Sequence, residues 1–183
     1  MKYIYTKNPV EKSAIFAADK LIEHLNNNEK VLWLLSGGSG GTIAIETAKR
    51  LRGTDLSNLT VSMTDERYGN IGHKDENWQI LLDAGLDLPG ANLYRPLTGD
   101  DIETTTQKFN DWLTKQIHHN DYKFGIFGMG TDGHTAGIKP RSMAVTSENM
   151  AAHIESDDFD WVFSIDVFHS VSIIRNFYRF LLY

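Results

Sequence analysis

A run of five consecutive apolar residues, Val31 to Leu35, is followed at once by a glycine-rich segment, Ser36 to Gly41. A short, continuously apolar run is typical of a strand that is buried on both faces of a parallel sheet. From Thr42 onward the apolar residues fall at helical spacing, and Gly53 stands where a helix C-cap is expected. Residues 31 to 53 therefore predict a strand, a glycine loop and a helix, which is the repeating unit of α/β folds.

The same alternation continues along the chain. Leu59 to Thr64 and Tyr122 to Phe127 are two further predicted strands, and Asn92 to Arg95 is a shorter one. Predicted helices lie around them, beginning at Asn8 with Pro9, at Asn77 and at a capping Asp100 or Asp101. We therefore expect an α/β fold of three layers, with a mostly parallel, Rossmann-like sheet and helices on both faces.

The overall composition limits the classes of function. The length of 183 residues predicts a single domain. The net charge of −6 argues against a nucleic-acid partner, because the sequence has no stripe of Lys and Arg that could bind a phosphate backbone. The chain has no cysteine, which excludes disulfides, thiolate metal sites and cysteine nucleophiles. The N-terminal residues lack the apolar run of a signal peptide. We expect a cytoplasmic protein without membrane association, as a monomer or weak homo-oligomer.

Three polar motifs follow the predicted strands, namely Ser36 to Gly41, Asp65 to Arg67 and Gly128 to His134. In open α/β sheets the ligand lies at the carboxyl ends of the strands. These motifs therefore predict one shared site.

The glycine loop allows more than one interpretation. As a phosphate cradle, the backbone of Gly37, Gly38 and Gly40 and the following helix N-terminus would hold a dianion, assisted by the hydroxyls of Ser39 and Thr42. The pattern also matches a G-x-S-x-G nucleophile elbow that would present Ser39 for attack. Only one predicted strand precedes it, with no segment for an oxyanion loop, so the cradle is favoured over the elbow and over a purely structural turn.

The other two motifs carry groups suited to acid/base chemistry. Asp65 could transfer a proton or orient water or substrate, and Arg67 could bind a phosphate through two hydrogen bonds. The structural alternative for this triplet is a solvated strand end with a local ion pair. His134 is the side chain best matched to proton transfer near neutral pH, and Asp132 could either assist it or cap a turn. The spacing does not support a metal site made from these residues.

Together the motifs resemble those of the 6-phosphogluconolactonase family, relatives of glucosamine-6-phosphate deaminase with the NagB-like α/β fold. The family's SGGS loop appears as Ser36 to Ser39, its DER triplet as Asp65 to Arg67 and its GMGxDGHTA block as Gly128 to Ala136. The deaminase branch has Asp-Glu-Tyr in the second motif and a glutamate where Lys139 stands, so these positions favour the lactonase.

The resemblance implies hydrolysis of 6-phosphoglucono-1,5-lactone to 6-phosphogluconate, the second step of the pentose phosphate pathway, with no metal or organic cofactor. A matching mechanism makes His134 the general base that activates water, with Asp65 or Asp132 orienting water or substrate. Backbone N–H groups of the glycine loops, including that of Gly130, would receive the oxyanion. The expected phosphate ligands are Ser39, Gly40 and Arg67, with Lys139 and Arg141 as weaker candidates.

The chain also departs from the family pattern. Gly40 and Gly41 stand where the family usually has Thr-Pro, and the family's later Arg-Ile-Thr strand and lysine are not evident. Residues 159 to 183 are rich in aromatics, and the alternation from Phe159 to Val167 predicts a strand. We expect one α/β sugar-phosphate hydrolase domain over residues 1–183, with an atypical, truncated or frame-shifted tail at 159–183. The alternatives are a deaminase or isomerase-like enzyme, a serine esterase using Ser39 and a non-catalytic sugar-phosphate binder.

Overall fold

The computed structural model describes residues 5–128, 133–138, 142–154, 161–164 and 172–176. The helices are α1 (Pro9–Asn26), α2 (Gly38–Arg50), α3 (Asn77–Asp83) and α4 (Ile102–His119), with a 3-10 helix at Met143–Thr146. The strands are β1 (Val31–Leu35), β2 (Leu59–Met63), β3 (Asp65–Arg67), β4 (Asn92–Leu93), β5 (Tyr122–Gly128), β6 (Ala151–Ile154), β7 (Trp161–Ser164) and β8 (Ser172–Asn176).

The main sheet has five strands in the order β4-β2-β1-β5-β8. Each neighbouring pair is parallel, and β1 lies at the centre, with Trp33 opposite Val61 of β2 and Phe124 of β5. All five residues of β1 are buried. The predicted buried strand at Val31 to Leu35 and the mostly parallel sheet are therefore confirmed.

Helices cover both faces of this sheet. On one face, α1, α2 and α3 pack with Trp33, Val61 and Ile126 in the larger core cluster. On the other face, α4 packs its buried residues Phe109 and Leu113 against Leu32 and Leu34 of β1, among others. Adjacent side chains of β1 thus pack on opposite faces of the sheet, because successive side chains of a strand point in opposite directions. The predicted three-layer α/β architecture is confirmed.

A second, antiparallel sheet has three strands in the order β3-β7-β6. Asp65 to Arg67 follows the end of β2, as predicted, but it forms a strand of its own, β3, that pairs with Trp161 to Phe163, and this strand was not predicted. The reason is tertiary pairing across more than ninety positions of sequence, which no local pattern encodes. Strand β7 lies within the strand predicted from Phe159 to Val167, whereas β8 was not predicted.

The helix starts follow the expected caps with one exception, and Gly53, predicted as the C-cap of α2, lies two residues past the observed C-cap Leu51. Pro9 begins α1 and the Asp101 side chain accepts a hydrogen bond from the Thr104 N–H at 2.8 Å at the start of α4. Helix α2 begins at Gly38, however, so the prediction that Thr42 begins it is wrong. Glycine is a poor helix former, but Gly40 and Gly41 are buried by packing, and tertiary contacts override the local propensity.

Candidate functional site

The three motifs begin at the carboxyl ends of three adjacent strands. Strand β1 lies between β2 and β5, and its end is joined to the end of β2 by a 2.6 Å hydrogen bond from the Thr64 N–H to the Leu35 carbonyl. Strands β1, β2 and β5 therefore end, at Leu35, Met63 and Gly128, at one edge of the sheet. This is the edge at which ligands bind in open α/β sheets.

The glycine turn after β1 passes directly into helix α2. Gly38 has φ of +56°, a conformation that favours glycine, and Gly37 is the extended N-cap. Ser39 lies half-exposed in the first turn of α2, and Thr42 is exposed one turn later on the same side. The N–H groups of this first turn make the helix end favourable for an anion. The positive φ falls on Gly38 and not on Ser39, so the backbone of Ser39 lacks the strain expected of a nucleophile elbow.

Close packing explains the glycines that follow. A Cβ on Gly40 would lie 3.0 Å from the Ser36 Cβ, and one on Gly41 would lie 2.8 Å from Cδ2 of Leu81. A side chain at position 40 would therefore require Ser36 to shift by a few tenths of an ångström, and one at position 41 would require the end of the Leu81 side chain to move.

Asp65 is buried at the start of β3, with 6% of its surface exposed. Its Oδ1 accepts a 2.8 Å hydrogen bond from the Thr64 hydroxyl. Burial raises the pKa of Asp65, while that hydrogen bond and the nearby charges of Arg67 and His134 act to lower it. Asp65 is thus within electrostatic reach of both Arg67 and His134, which belong to two different motifs.

Glu66 is fully buried, and its carboxylate is held by backbone N–H groups. Oε1 accepts from Asn77 at 2.6 Å and from Arg67 at 2.8 Å, and Oε2 accepts from Trp78 at 2.9 Å. Burial raises the pKa of Glu66 to about 8 against the opposing effect of these three donors. Sequence reasoning missed this role, although the alternation of a strand places Glu66 opposite Asp65 and Arg67 and so requires other partners for it.

Arg67 and the loop from 68 to 76 hold each other in place. Nη1 of Arg67 donates to the Asp75 carbonyl at 3.3 Å, and Nε2 of His73 lies 3.1 Å from the Arg67 carbonyl. Nδ1 of His73 accepts from the Asp75 N–H, which fits the tautomer that carries its proton on Nε2. His73 is half-buried.

The loop is anchored at its far end by Glu76. This fully buried carboxylate accepts from Nη2 of Arg95 at 2.6 Å and from the Gly72 N–H at 2.6 Å, and it also pairs with Nε of Arg95. The pair ties the loop to the segment that follows β4.

His134 lies half-exposed beside a tight turn. In that turn the Ile138 N–H donates to the Thr135 carbonyl at 2.9 Å, and the two central residues, Ala136 and Gly137, have φ of 49° and 68°. Ala136 is buried in the smaller core cluster under α4. Packing of Ala136 therefore fixes the turn and, two residues earlier, the position of His134.

The remaining predicted site residues, Gly130, Asp132, Lys139 and Arg141, lie outside the described residues. Of the others, Asp65 lies within electrostatic reach of His134, and Asn77 contacts both Gly37 and the backbone of Asp65. Within the ranges that the structure covers, no group of three or more His, Asp or Glu side chains could hold a metal ion. None of the helices in those ranges is both long enough and apolar enough to cross a membrane.

Known proteins with similar sequences carry one name. A 6-phosphogluconolactonase from Helicobacter pylori is 32% identical over 113 residues, covering 60% of this chain and 49% of the relative. One from Synechocystis is 26% identical over 146 residues, covering 75% of this chain and 60% of the relative. The chain thus spans about half to three-fifths of the curated relatives that it matches.

Solved structures show the same fold. A 6-phosphogluconolactonase from Shewanella baltica superposes with a TM-score of 0.79 at 17% identity, covering 94% of this chain and 78% of that one. A monomeric glucosamine-6-phosphate deaminase of the NagB superfamily superposes with a TM-score of 0.71 at 15% identity, covering 91% of this chain and 78% of that one.

The family match covers most of the chain and all three motifs. Residues 7–160 match the family described as glucosamine-6-phosphate isomerases/6-phosphogluconolactonase, and this range includes the glycine turn, strand β3 and the His134 turn. The chain therefore belongs to the glucosamine-6-phosphate isomerase/6-phosphogluconolactonase family.

Proposed function

We propose that the protein hydrolyses 6-phospho-D-glucono-1,5-lactone to 6-phospho-D-gluconate. The observation that carries this proposal is the placement of buried Asp65 within electrostatic reach of half-exposed His134, at the sheet edge where helix α2 begins. A lactone carbonyl is already electrophilic, so its hydrolysis needs an activated water, donors for the oxyanion and a grip on the remote phosphate. Relatives named 6-phosphogluconolactonase support the same assignment.

His134 is the proposed general base. As neutral imidazole it takes a proton from the attacking water, and as imidazolium it returns that proton to the ring oxygen when the ester bond breaks. Asp65, whose carboxylate faces the charge of His134, orients the imidazole or the water and stabilises the imidazolium that forms. Asp132 is the alternative for this supporting role. The backbone N–H of Gly130 is proposed to bind the oxyanion.

The phosphate is proposed to bind at the start of α2. Gly37, Gly38 and Gly40 supply backbone, Ser39 and Thr42 supply hydroxyls, and the helix end attracts a dianion. Arg67 supplies positive charge from β3, with Lys139 and Arg141 as further ligands. These groups would provide a locally positive site on a chain whose net charge is −6.

A deaminase-like reaction is the second candidate, because the family description includes glucosamine-6-phosphate isomerases and one similar structure is a deaminase. Arg67 occupies the position of the tyrosine that the deaminase motif carries, and this favours the lactonase. Release of ammonia from glucosamine 6-phosphate by the purified protein would favour the deaminase. A cytoplasmic location and a monomeric or weakly homo-oligomeric state are further proposals.

The test is the substitution His134→Ala, with His118→Ala as the matched control on the exposed last turn of α4. Proton release from the lactone is followed in weak buffer, with the uncatalysed rate subtracted. Loss of a general base is expected to lower kcat by about 10²–10⁴-fold, while 6-phosphogluconate binding stays within a few-fold of the wild type. Wild-type turnover in His134→Ala would refute the role given to His134.

A further inference from the structure

Asn77, the first residue of α3, is buried between two of the site motifs. Only 4% of its surface is exposed. Its Nδ2 donates to the Asp65 carbonyl at 3.2 Å, and its backbone N–H donates to Oε1 of Glu66 at 2.6 Å. Both the side chain and the main chain of Asn77 are therefore fixed to strand β3.

The other side of the Asn77 carboxamide touches the glycine turn. A Cβ on Gly37 would lie 2.2 Å from Oδ1 of Asn77, 2.6 Å from its Cγ and 3.0 Å from its Nδ2. Gly37 has φ of −70° and ψ of −170°, which any residue can adopt. The requirement for glycine at this position therefore comes from the contact with Asn77 and not from the backbone conformation.

We propose that Asn77 is a positioning residue that sets the separation between the glycine turn and Asp65. One rigid carboxamide contacts Gly37, where the proposed phosphate site begins, and the backbone of Asp65, where the proposed chemistry takes place. Hydrogen bonds from the Asn77 backbone N–H to Glu66 and from its Nδ2 to the Asp65 carbonyl fix the residue to β3, so its contact with Gly37 sets how closely the glycine turn approaches that strand. This inference rests on the proposed function, and it adds to it a residue outside the three motifs.

The role predicts a particular kinetic effect. Moving a binding group and a catalytic group relative to each other by as little as about 1 Å costs up to about 100-fold in rate. Asn77→Ala is expected to raise KM for the lactone and the Kd for 6-phosphogluconate, and to lower kcat, so that kcat/KM falls by about tenfold or more. A purely structural role would only reduce the folded fraction, which lowers apparent kcat and leaves KM and Kd unchanged.

Gly37→Ala and the double variant Gly37→Ala/Asn77→Ala complete the test. The single Gly37→Ala variant must displace the carboxamide and is expected to lose stability and affinity. In the double variant the clashing atoms of Asn77 are absent, so the effects are expected to be strongly non-additive, with the added alanine at Gly37 costing little. Urea unfolding measures this coupling even if the protein has no lactonase activity.

Asn120→Ala is the matched control. Asn120 is equally buried at 4%, caps a helix end and donates from Nδ2 to the Gln116 carbonyl at 2.9 Å, but it lies at the amino end of β5. It is expected to lower stability while leaving KM and Kd as in the wild type. Unchanged KM and Kd in folded Asn77→Ala, or additive effects in the double variant, would overturn the inference. Absence of lactone hydrolysis in the wild type would instead overturn the proposed function.

Discussion

Replacing the buried carboxyl group of Glu66 with an amide is expected to change the stability of the protein in a pH-dependent way. Glu66→Gln keeps the size and shape of the side chain but replaces one acceptor oxygen with an NH2 group. If the amide oxygen takes the place of Oε1, which accepts from Asn77 and Arg67, the NH2 group faces the Trp78 N–H, which donates to Oε2 in the wild type. The Trp78 N–H then loses its acceptor and the NH2 group faces it without one, at a cost of at least about 1–3 kcal/mol.

Raising the pH lowers the stability of the wild type but not that of Glu66→Gln, whose side chain does not titrate. The pKa of Glu66 is raised from an ordinary value of 4.5 to about 8, so the folded chain binds one more proton than the unfolded chain between those values. Stability falls as pH rises wherever the folded state binds more protons, by up to about 1.4 kcal/mol per pH unit. Wild-type stability relative to Glu66→Gln is therefore expected to fall by about 3 kcal/mol or more between pH 5 and pH 8. The wild type is the more stable protein at pH 5 and loses that advantage by pH 8.

Urea unfolding followed by tryptophan fluorescence at pH 5, 6, 7 and 8 measures this difference. The exposed Glu103, in the first turn of α4, supplies the control Glu103→Gln, for which a change within about 0.5 kcal/mol is expected. A difference in the free energy of unfolding between wild type and Glu66→Gln that stays constant from pH 5 to pH 8 would show that the pKa of Glu66 is not raised in the folded chain. It would mean that the three N–H donors outweigh burial and keep Glu66 ionised.

Three further outcomes are expected. Arg95→Met leaves the fully buried carboxylate of Glu76 without its ion pair and should cost about 3–5 kcal/mol in urea unfolding, and a loss below about 1 kcal/mol would contradict the account of the loop anchor. Asp101→Ala removes the N-cap of α4 and should cost about 1 kcal/mol, seen as a lower urea midpoint, whereas an unchanged midpoint would show that the cap is dispensable. A fluorophosphonate probe should not label Ser39, because Ser39 is assigned to the phosphate cradle; labelling that disappears in Ser39→Ala would instead support the esterase alternative.

The features that could be predicted from sequence are those with a local cause. Continuous apolar character marks β1, helical periodicity marks α1 and α4, and Asp101 marks a helix start. Because parallel strands end at one edge, the order of strands and motifs also predicts that the Asp65 and His134 segments meet. The strand and helix assignments need only the neighbours of each residue along the chain, and the meeting of the two segments needs only the alternation of strands and helices.

The features that sequence reasoning missed depend on residues far apart in the chain. Strand β3 exists because it pairs with β7, and the start of α2 at Gly38 depends on packing against Leu81 and Ile126. The contact between Gly37 and Asn77 joins positions forty residues apart, and its only local sign is a glycine whose backbone does not require one. Tertiary contacts of this kind decide the details of the site.

The most direct test of the account is the rate at which the purified protein hydrolyses 6-phosphoglucono-1,5-lactone. The reaction is followed by proton release in weak buffer, beside the uncatalysed reaction and beside His134→Ala. We expect hydrolysis by the wild type well above the uncatalysed rate, saturable with substrate, and a loss of about 10²-fold or more in His134→Ala. A folded wild-type protein that binds 6-phosphogluconate but leaves the lactone at its uncatalysed rate would contradict it.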